Sequence, residues 1–329
     1  MINLIYRKSR PTGNFSIETS FDQFLNYYQK HGKYPIQKVE SSYYSKGILE
    51  RIKAIFEIRK KASEINHITG DVHYLSIGLP KNKTILTIHD CGFMEDTSGI
   101  KRMMLKWFWL TLPVRNCRFI TTVSEATKRD IIKYTGCSPQ KIRVIPTLIN
   151  PIFSRHIKQF NKNKPRLLHI GLAPNKNFER HVKAISGLNC HLHIIGKLEA
   201  AHFDLLEEYS IEFSNEYNLT NEGMQEAYHQ SDIILFASTL EGFGMPIIEA
   251  QTIGRAVITS NISSMPEVAG KGACFVNPFD VQSIREGIQK VLIDEKFRSE
   301  IIENGFENIE RFKVEEVSKK YEFLYQKIL

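Results

Sequence analysis

Short apolar runs alternate with longer stretches of helical periodicity along the whole chain, and this alternation confines it to one fold class. The runs that read as strands are Ile2–Tyr6, Val72–Ile77, Thr84–Ile88, Phe119–Val123 and Ile142–Ile145 in the first half. In the second half they are Arg166–Ile170, Leu192–Ile195, Ile233–Phe236, Ala256–Thr259 and Cys274–Val276. Between them, Ser16–His31, Ser124–Thr135, Phe178–Ser186 and Val281–Asp294 carry apolar residues at helical spacing. Strands separated by helices pair in parallel through crossover connections, which gives an α/β fold. The strand runs are apolar almost throughout, as expected for sheets covered on both faces.

A length of 329 residues suggests two domains. With 42% hydrophobic and 24% charged residues there is enough apolar material for two cores. The break is expected near Pro146–Pro165, where Pro146, Pro151 and Pro165 flank the polar run 159–164. Two α/β halves joined by a hinge would leave a cleft at the carboxyl ends of their strands, where ligands of such sheets bind.

The most informative segment is Ser238-Thr-Leu-Glu241-Gly242-Phe243-Gly244-Met245-Pro-Ile-Ile-Glu249-Ala250. It follows the strand Ile233–Phe236 directly, and Pro246 stands where a first helical turn begins. Gly242 and Gly244 remove side chains where backbone must approach a ligand. The helix start offers free N–H groups and a positive dipole end, which suit a phosphate. Glu241 lies in the loop and Glu249 about two turns deeper. Each carboxylate could accept hydrogen bonds from paired sugar hydroxyls, at roughly 1.5–3 kcal/mol per charge-assisted bond. The alternative reading is a C-capped turn followed by a core helix with two solvated glutamates, and Glu241 to Gly244 alone would be a weak signal. The second glutamate eight positions on favours the ligand site.

With these residues in place, the chain resembles the family 4 retaining glycosyltransferases. Their signature is a pair of glutamates separated by seven residues, matched here by Glu241 and Glu249. The segments Gly254–Ser260, Ser264-Met-Pro-Glu267-Val and Asn277-Pro-Phe-Asp280 follow in the family's usual order. The resemblance implies the GT-B architecture: two Rossmann-like parallel-sheet domains, an interdomain cleft and a last helix that crosses back to the first domain. Residues 1–150 would form the acceptor-side domain, joined by the tail 314–329, and residues 151–313 the nucleotide-sugar domain. The tail carries an apolar stripe at Val314, Val317, Tyr321, Leu324 and Ile328. By the same resemblance Glu249 would bind the donor ribose and Glu241 the transferred sugar, in a position often called catalytic. Phe243, Gly244, Met245 and Gly242 would line the sugar and diphosphate site. The implied activity is metal-independent, retaining transfer of a hexose-type sugar from a nucleoside diphosphate to a polysaccharide, lipopolysaccharide or lipid-linked acceptor. No cofactor beyond that co-substrate is expected.

Three further segments bear on the site. Leu168-His-Ile-Gly171-Leu-Ala-Pro-Asn-Lys176-Asn177 is a strand, a glycine turn and a helix start, the layout of a phosphate site. Gly171, Lys176 and Asn177 are therefore donor-site candidates, although Lys176 also reads as a plain surface lysine. The family often has an arginine here as well. This chain has Leu172 and Ala173 instead, so the diphosphate would rest on Lys176 and the helix end. His89, in Thr87-Ile-His89-Asp90, closes a strand and matches the family's histidine near the reaction centre, with Asp90 as a candidate to orient it; a structural His–Asp pair is the alternative. Gly13 loosely matches the family's glycine loop near the donor phosphate and equally reads as a plain turn. Ser124 reads as a helix N-cap.

Other chemistries lack their residues. There is no D-x-D triplet, no G-x-G-x-x-G after a strand, no P-loop and no nucleophile elbow, and the histidines show no metal-ligand spacing. A nucleotide-sugar epimerase of the same fold and a non-catalytic nucleotide-sugar or membrane-binding protein remain as alternative readings.

Charge divides the chain unevenly. Residues 1–150 hold 24 Lys+Arg against 12 Asp+Glu, and residues 151–329 hold 20 against 24. By charge alone the basic half suits an acidic partner, such as nucleic acid, a phosphorylated acceptor or an anionic membrane surface, and a solvated basic surface is as consistent. No nucleic acid partner is expected. Ile100 to Phe119 holds both tryptophans with Lys101, Arg102, Lys106, Arg115 and Arg118. It reads better as a buried crossover helix with basic ends than as a membrane-interface helix. Five scattered cysteines without a CxxC pair suggest a reduced, cytoplasmic chain. No signal peptide is expected, since Arg7, Lys8 and Arg10 follow the first strand at once. No apolar run approaches the ~20 residues of a membrane span, so any membrane association would be peripheral, on the inner face.

Overall fold

The computed structural model describes residues 1–8, 16–95 and 97–329. The chain divides into two compact units, residues 1–148 with 312–329, and residues 149–311.

The first unit contains β1 (Ile2–Tyr6), α1 (Ser16–His31), β2 (Ile36–Glu40), α2 (Gly47–Lys60), β3 (Ile65–Ile68), β4 (Thr84–Ile88), α3 (Gly99–Leu105), α4 (Leu112–Arg115), β5 (Phe119–Thr122), α5 (Glu125–Thr135) and β6 (Ile142–Val144). Its six strands are all parallel, in the order β2-β1-β3-β4-β5-β6. Side chains alternate across the sheet, so Ile2, Leu4 and Tyr6 join a core with Phe21 and Phe24 of α1, while Ile5 joins another with Ile58 of α2 and Ile131 of α5. Ser124 caps α5 as expected, accepting from the Thr127 N–H at 3.0 Å.

The second unit contains β7 (Arg166–Ile170), α6 (Phe178–Ile185), β8 (His191–Ile195), α7 (Ala200–Glu208), β9 (Phe213–Glu216), α8 (Asn221–Gln230), β10 (Ile233–Phe236), α9 (Met245–Ile253), β11 (Ala256–Ser260), α10 (Met265–Ala269), β12 (Cys274–Val276), α11 (Val281–Ile293) and α12 (Glu295–Asn308). These strands are also all parallel, in the order β12-β11-β10-β7-β8-β9. The chain winds outward from β7 in one direction, then returns to β10 on its other side. That reversal creates a switch point at the carboxyl ends of β7 and β10, where loops diverge and a ligand can enter.

The last helix, α13 (Val314–Gln326), belongs to the first unit. Val317, Tyr321, Leu324 and Tyr325 enter the core that holds α1. The Tyr325 hydroxyl lies 2.8 Å from Nδ1 of His67 in β3, whose Nε2 lies 2.8 Å from the Thr87 hydroxyl. Burial pushes the His67 pKa down to about 3, so the ring is a neutral structural hub.

Two sequence expectations fail here. The run Val72–Ile77 is no strand: residues His73–Gly78 form a 3-10 turn, and the strand is Ile65–Ile68. Its Asn66 and His67 are polar yet fully buried, because both are satisfied; Asn66 exchanges hydrogen bonds with Ser63 at 2.9 and 3.0 Å. The segment from Ile100 is not a buried crossover helix either. It forms α3, a π-helical turn Lys106–Thr111 and α4, with Ile100 75%, Met103 64% and Phe108 54% exposed. No helix among the described residues is long and apolar enough to cross a membrane.

Candidate functional site

The switch point of the second unit is built by two loops that brace each other. After β7 the chain turns at Gly171, with φ +84°, a conformation that favours glycine. The Gly171 N–H donates to the Ile195 carbonyl at 2.8 Å, and its carbonyl accepts from His169 Nε2 at 2.7 Å. His169 is buried, and burial lowers its pKa to about 4, so it is neutral, with its Nδ1 2.9 Å from that of His181. A Cβ on Gly171 would approach the Lys176 stem at 3.3 Å, so the bare backbone lets that lysine lie across the turn. Leu172, which stands where an arginine is frequent in the family it resembles, packs onto Gly196, where a Cβ would meet it at 2.9 Å.

The second loop, from Ala237 to Gly244, answers the first. Lys176 Nζ contacts Glu241 Oε1 at 2.6 Å, and Asn175 Nδ2 approaches the same oxygen at 3.4 Å. Asn175 also donates to the Leu240 carbonyl at 2.8 Å and accepts from the Thr239 N–H at 2.8 Å. Ser263 and Ser264 hold the loop from the far side: both hydroxyls donate to the Glu241 carbonyl at 2.9 Å, and Ser264 also reaches the Phe243 carbonyl at 2.8 Å. The loop ends at Gly244, φ +109°, which opens α9 with Met245 and Pro246 in its first turn. Gly242 and Met245 are half-buried, whereas Phe243 and Gly244 are buried.

Glu249 lies in α9 and is half-buried as a residue. Desolvation raises its pKa to about 7, and a 2.6 Å hydrogen bond donated by the Tyr228 hydroxyl pulls in the opposite direction. Tyr228 itself is fully buried in α8 and stacks edge-on with Phe153 at 5.2 Å. The hydrogen bond from Tyr228 holds this carboxyl group in one orientation.

The structure places Gly171 and Lys176 on one of these loops and Glu241, Gly242, Phe243 and Gly244 on the other, joined by the Lys176–Glu241 contact, with Met245 and Glu249 following in α9. Asn177 differs. Its side chain is buried, in the left-handed conformation at φ +62°, and donates to the carbonyls of Ala237 at 2.9 Å and Pro278 at 2.7 Å. It clasps three loops and has no amide proton left for a ligand, so its contribution is to shape the site. The sequence does not show the bracing roles of Asn175, Tyr228, Ser263 and Ser264, because nothing short-range announces partners more than twenty positions away.

His89 lies in the first unit, at the end of β4. Its Nε2 donates to the Thr69 carbonyl at 2.7 Å, which fixes the orientation of the ring. Gly70 makes room for the ring, since a Cβ there would stand 2.7 Å from it. Asp90 does not orient His89; its carboxylate accepts from the Gly92 N–H at 2.9 Å instead. Gly13 falls outside the described residues. Among the described residues no cluster of His, Cys, Asp and Glu could hold a metal ion.

Two successive parallel-sheet units, the second with a lysine–glutamate pair and a glycine-opened helix at its switch point, define the GT-B class of two-domain α/β folds. Residues 152–308 match the family described as glycosyl transferases group 1, and residues 29–152 match glycosyltransferase family 4. The chain belongs to this family of glycosyltransferases. It is 30% identical over 207 residues to the serotype-specific mannosyltransferase WbdA of Escherichia coli, covering 55% of this chain and 25% of that protein. It is 30% identical over 227 residues to the O-antigen chain mannosyltransferase RfbU of Salmonella typhimurium, covering 66% of this chain and 62% of that one. It thus spans a quarter of the length of the first relative and under two thirds of the second. Among solved structures, the Anabaena protein HepE, crystallised with UDP and glucose, shares the fold with TM-score 0.76 at 13% identity, covering 99% of this chain and 100% of that one.

Proposed function

We propose that this chain is a retaining glycosyltransferase that moves a hexose-type sugar from a nucleoside diphosphate onto a saccharide or lipid-linked acceptor of a cell-surface polysaccharide. The observation that carries this reading is the convergence of Lys176, Glu241 and the start of α9 on one switch point. Lys176 and the helix start supply positive charge where the leaving diphosphate gains negative charge, without calling on a metal. Glu249 takes the ribose hydroxyls, and Glu241, released when Lys176 turns to the phosphate, takes hydroxyls of the sugar. In the reaction the bond from the anomeric carbon to the β-phosphate oxygen breaks. The acceptor oxygen bonds to the same face of that carbon, and the acceptor proton passes to the departing phosphate oxygen. The first unit serves the acceptor.

Mannose is the first sugar to test, because WbdA and RfbU are both named mannosyltransferases. A thermal-shift screen of nucleotide sugars would select the donor, and transfer of labelled sugar to a saccharide acceptor would then establish the activity. If no nucleotide sugar raises the melting temperature, the reading is wrong. Conversion of the donor to an isomer without an acceptor would instead identify an epimerase.

A further inference from the structure

The first unit exposes a surface that the proposed chemistry does not use. In α2 the side chains of Ile48 (74% exposed), Leu49 (75%), Ile52 (44%) and Phe56 (57%) form an apolar stripe at helical spacing. Exposed Lys46, Lys53, Arg59 and Lys60 lie around it. A second stripe runs along α3 and the π-helical turn, where Ile100, Met103, Met104, Trp107 and Phe108 are all exposed. Lys101, Arg102, Lys106 and Arg115 accompany it. The two stripes sit on neighbouring elements: the Arg51 guanidinium of α2 lies 5.0 Å from the ring of Trp109 and 5.8 Å from that of Tyr74. Beside the second stripe is a groove of about 620 Å³, lined by Met103, Met104, Trp107 and Phe108 with Lys106 and Arg115 among its walls.

We propose that this face seats the protein on an anionic lipid surface. An exposed apolar patch with two such stripes needs a partner. The residue types are those of an interfacial helix, with aromatic and aliphatic side chains to enter the headgroup boundary and Lys/Arg to meet anionic headgroups. Charge selects among occupants. Ile100 to Phe119 carries five cations and no carboxylate. In α2, Glu57 is engaged by Ser42 at 2.9 and 2.6 Å and by Lys61 at 2.7 Å. A second copy of the same face would oppose cation to cation, whereas an anionic bilayer complements it. The inference stands independently of the donor assignment.

The chain has two tryptophans, Trp107 and Trp109, both in this segment, so intrinsic fluorescence reads it directly. The full chain should sediment with phosphatidylcholine vesicles containing phosphatidylglycerol, with a blue-shifted emission, and should bind less as salt rises. The triple variant Lys101→Gln, Arg102→Gln, Lys106→Gln should lower vesicle partitioning on the order of a hundredfold, at about 1 kcal/mol per cation near an anionic surface. Ile48→Ser with Leu49→Ser should also weaken binding. Because all five positions are exposed, both variants should keep the parent's melting temperature. Equal binding to neutral and anionic vesicles, no binding to either, or concentration-dependent self-association without lipid would each overturn the proposal.

Discussion

Helix α9 and the segment from α3 to α4 are both short, apolar and flanked by loops, yet they have opposite surroundings. In α9, Ile247, Ile248, Ala250, Gln251, Thr252 and Ile253 are buried beneath β10, β11 and α12. In α3 no residue is buried, and the following π-helical turn buries only Leu110 and Thr111. Apolarity therefore does not by itself mark a core. What separates the two is the company they keep: α9 has no basic residue, whereas the other segment has four, between Lys101 and Arg115. A lysine-rich apolar helix is compatible with a boundary between phases, and a neutral one with a closed interior.

The largest effects should come from the closed region. Ile248→Ala removes a fully buried side chain from α9 and should cost about 2–5 kcal/mol of stability, read from chemical denaturation. A loss below about 1 kcal/mol would mean that α9 is less tightly enclosed than the geometry indicates. Glu241→Ala removes the carboxylate that Lys176 holds at 2.6 Å. Transfer should slow by about 10²-fold or more while the fold persists, and full activity would defeat its assignment to the sugar.

Glu249 offers a pH test of the same region. Its folded pKa of about 7 lies above its ordinary value of 4.5, so ionisation is disfavoured by the fold. The stability that this group contributes is present below about pH 4.5 and is lost as pH rises through about 7. Under the proposed ribose role of Glu249, ligand binding should run the other way, because the ionised carboxylate is the better acceptor for two hydroxyls. Donor affinity measured by calorimetry should therefore fall up to tenfold per pH unit below 7, and Glu249→Gln should flatten that profile. Tyr228→Phe removes the hydrogen bond that favours the carboxylate, so the midpoint should move upward. An unchanged midpoint in that variant would show that the 2.6 Å contact does not tune Glu249.

Much of this architecture was legible in the chain, and the failures have physical causes. The central strands could be read because parallel strands covered on both faces must be apolar throughout. The edge strands β2 (IQKVE) and β9 (FSNE) escaped notice because each leaves much of its surface half-buried or exposed and so shows no apolar run. Ile65–Ile68 was hidden by Asn66 and His67, whose burial depends on partners at Ser63, Thr87 and Tyr325. In the site, the Glu241–Glu249 spacing and the glycines were readable because they lie on one continuous turn and helix. The bracing roles of Asn175 and Ser264 were not, because the sheet order alone brings residue 175 beside 240 and 264 beside 241 and 243.

The smallest effect bears most directly on the contrast between the two helices. Ile100→Ala removes as much hydrocarbon as many core truncations do, but Ile100 is 75% exposed. No cavity forms and little transfer free energy is lost, so the folded protein should change in stability by no more than about 0.5 kcal/mol. If the α3 surface stays in water, the substitution has no consequence anywhere. If it enters a lipid boundary, vesicle partitioning must weaken while denaturation is unchanged, because the lost methylenes are buried only in the bound state. A drop of several kcal/mol in stability without lipid would show that Ile100 is already covered, and that α3 resembles α9 after all.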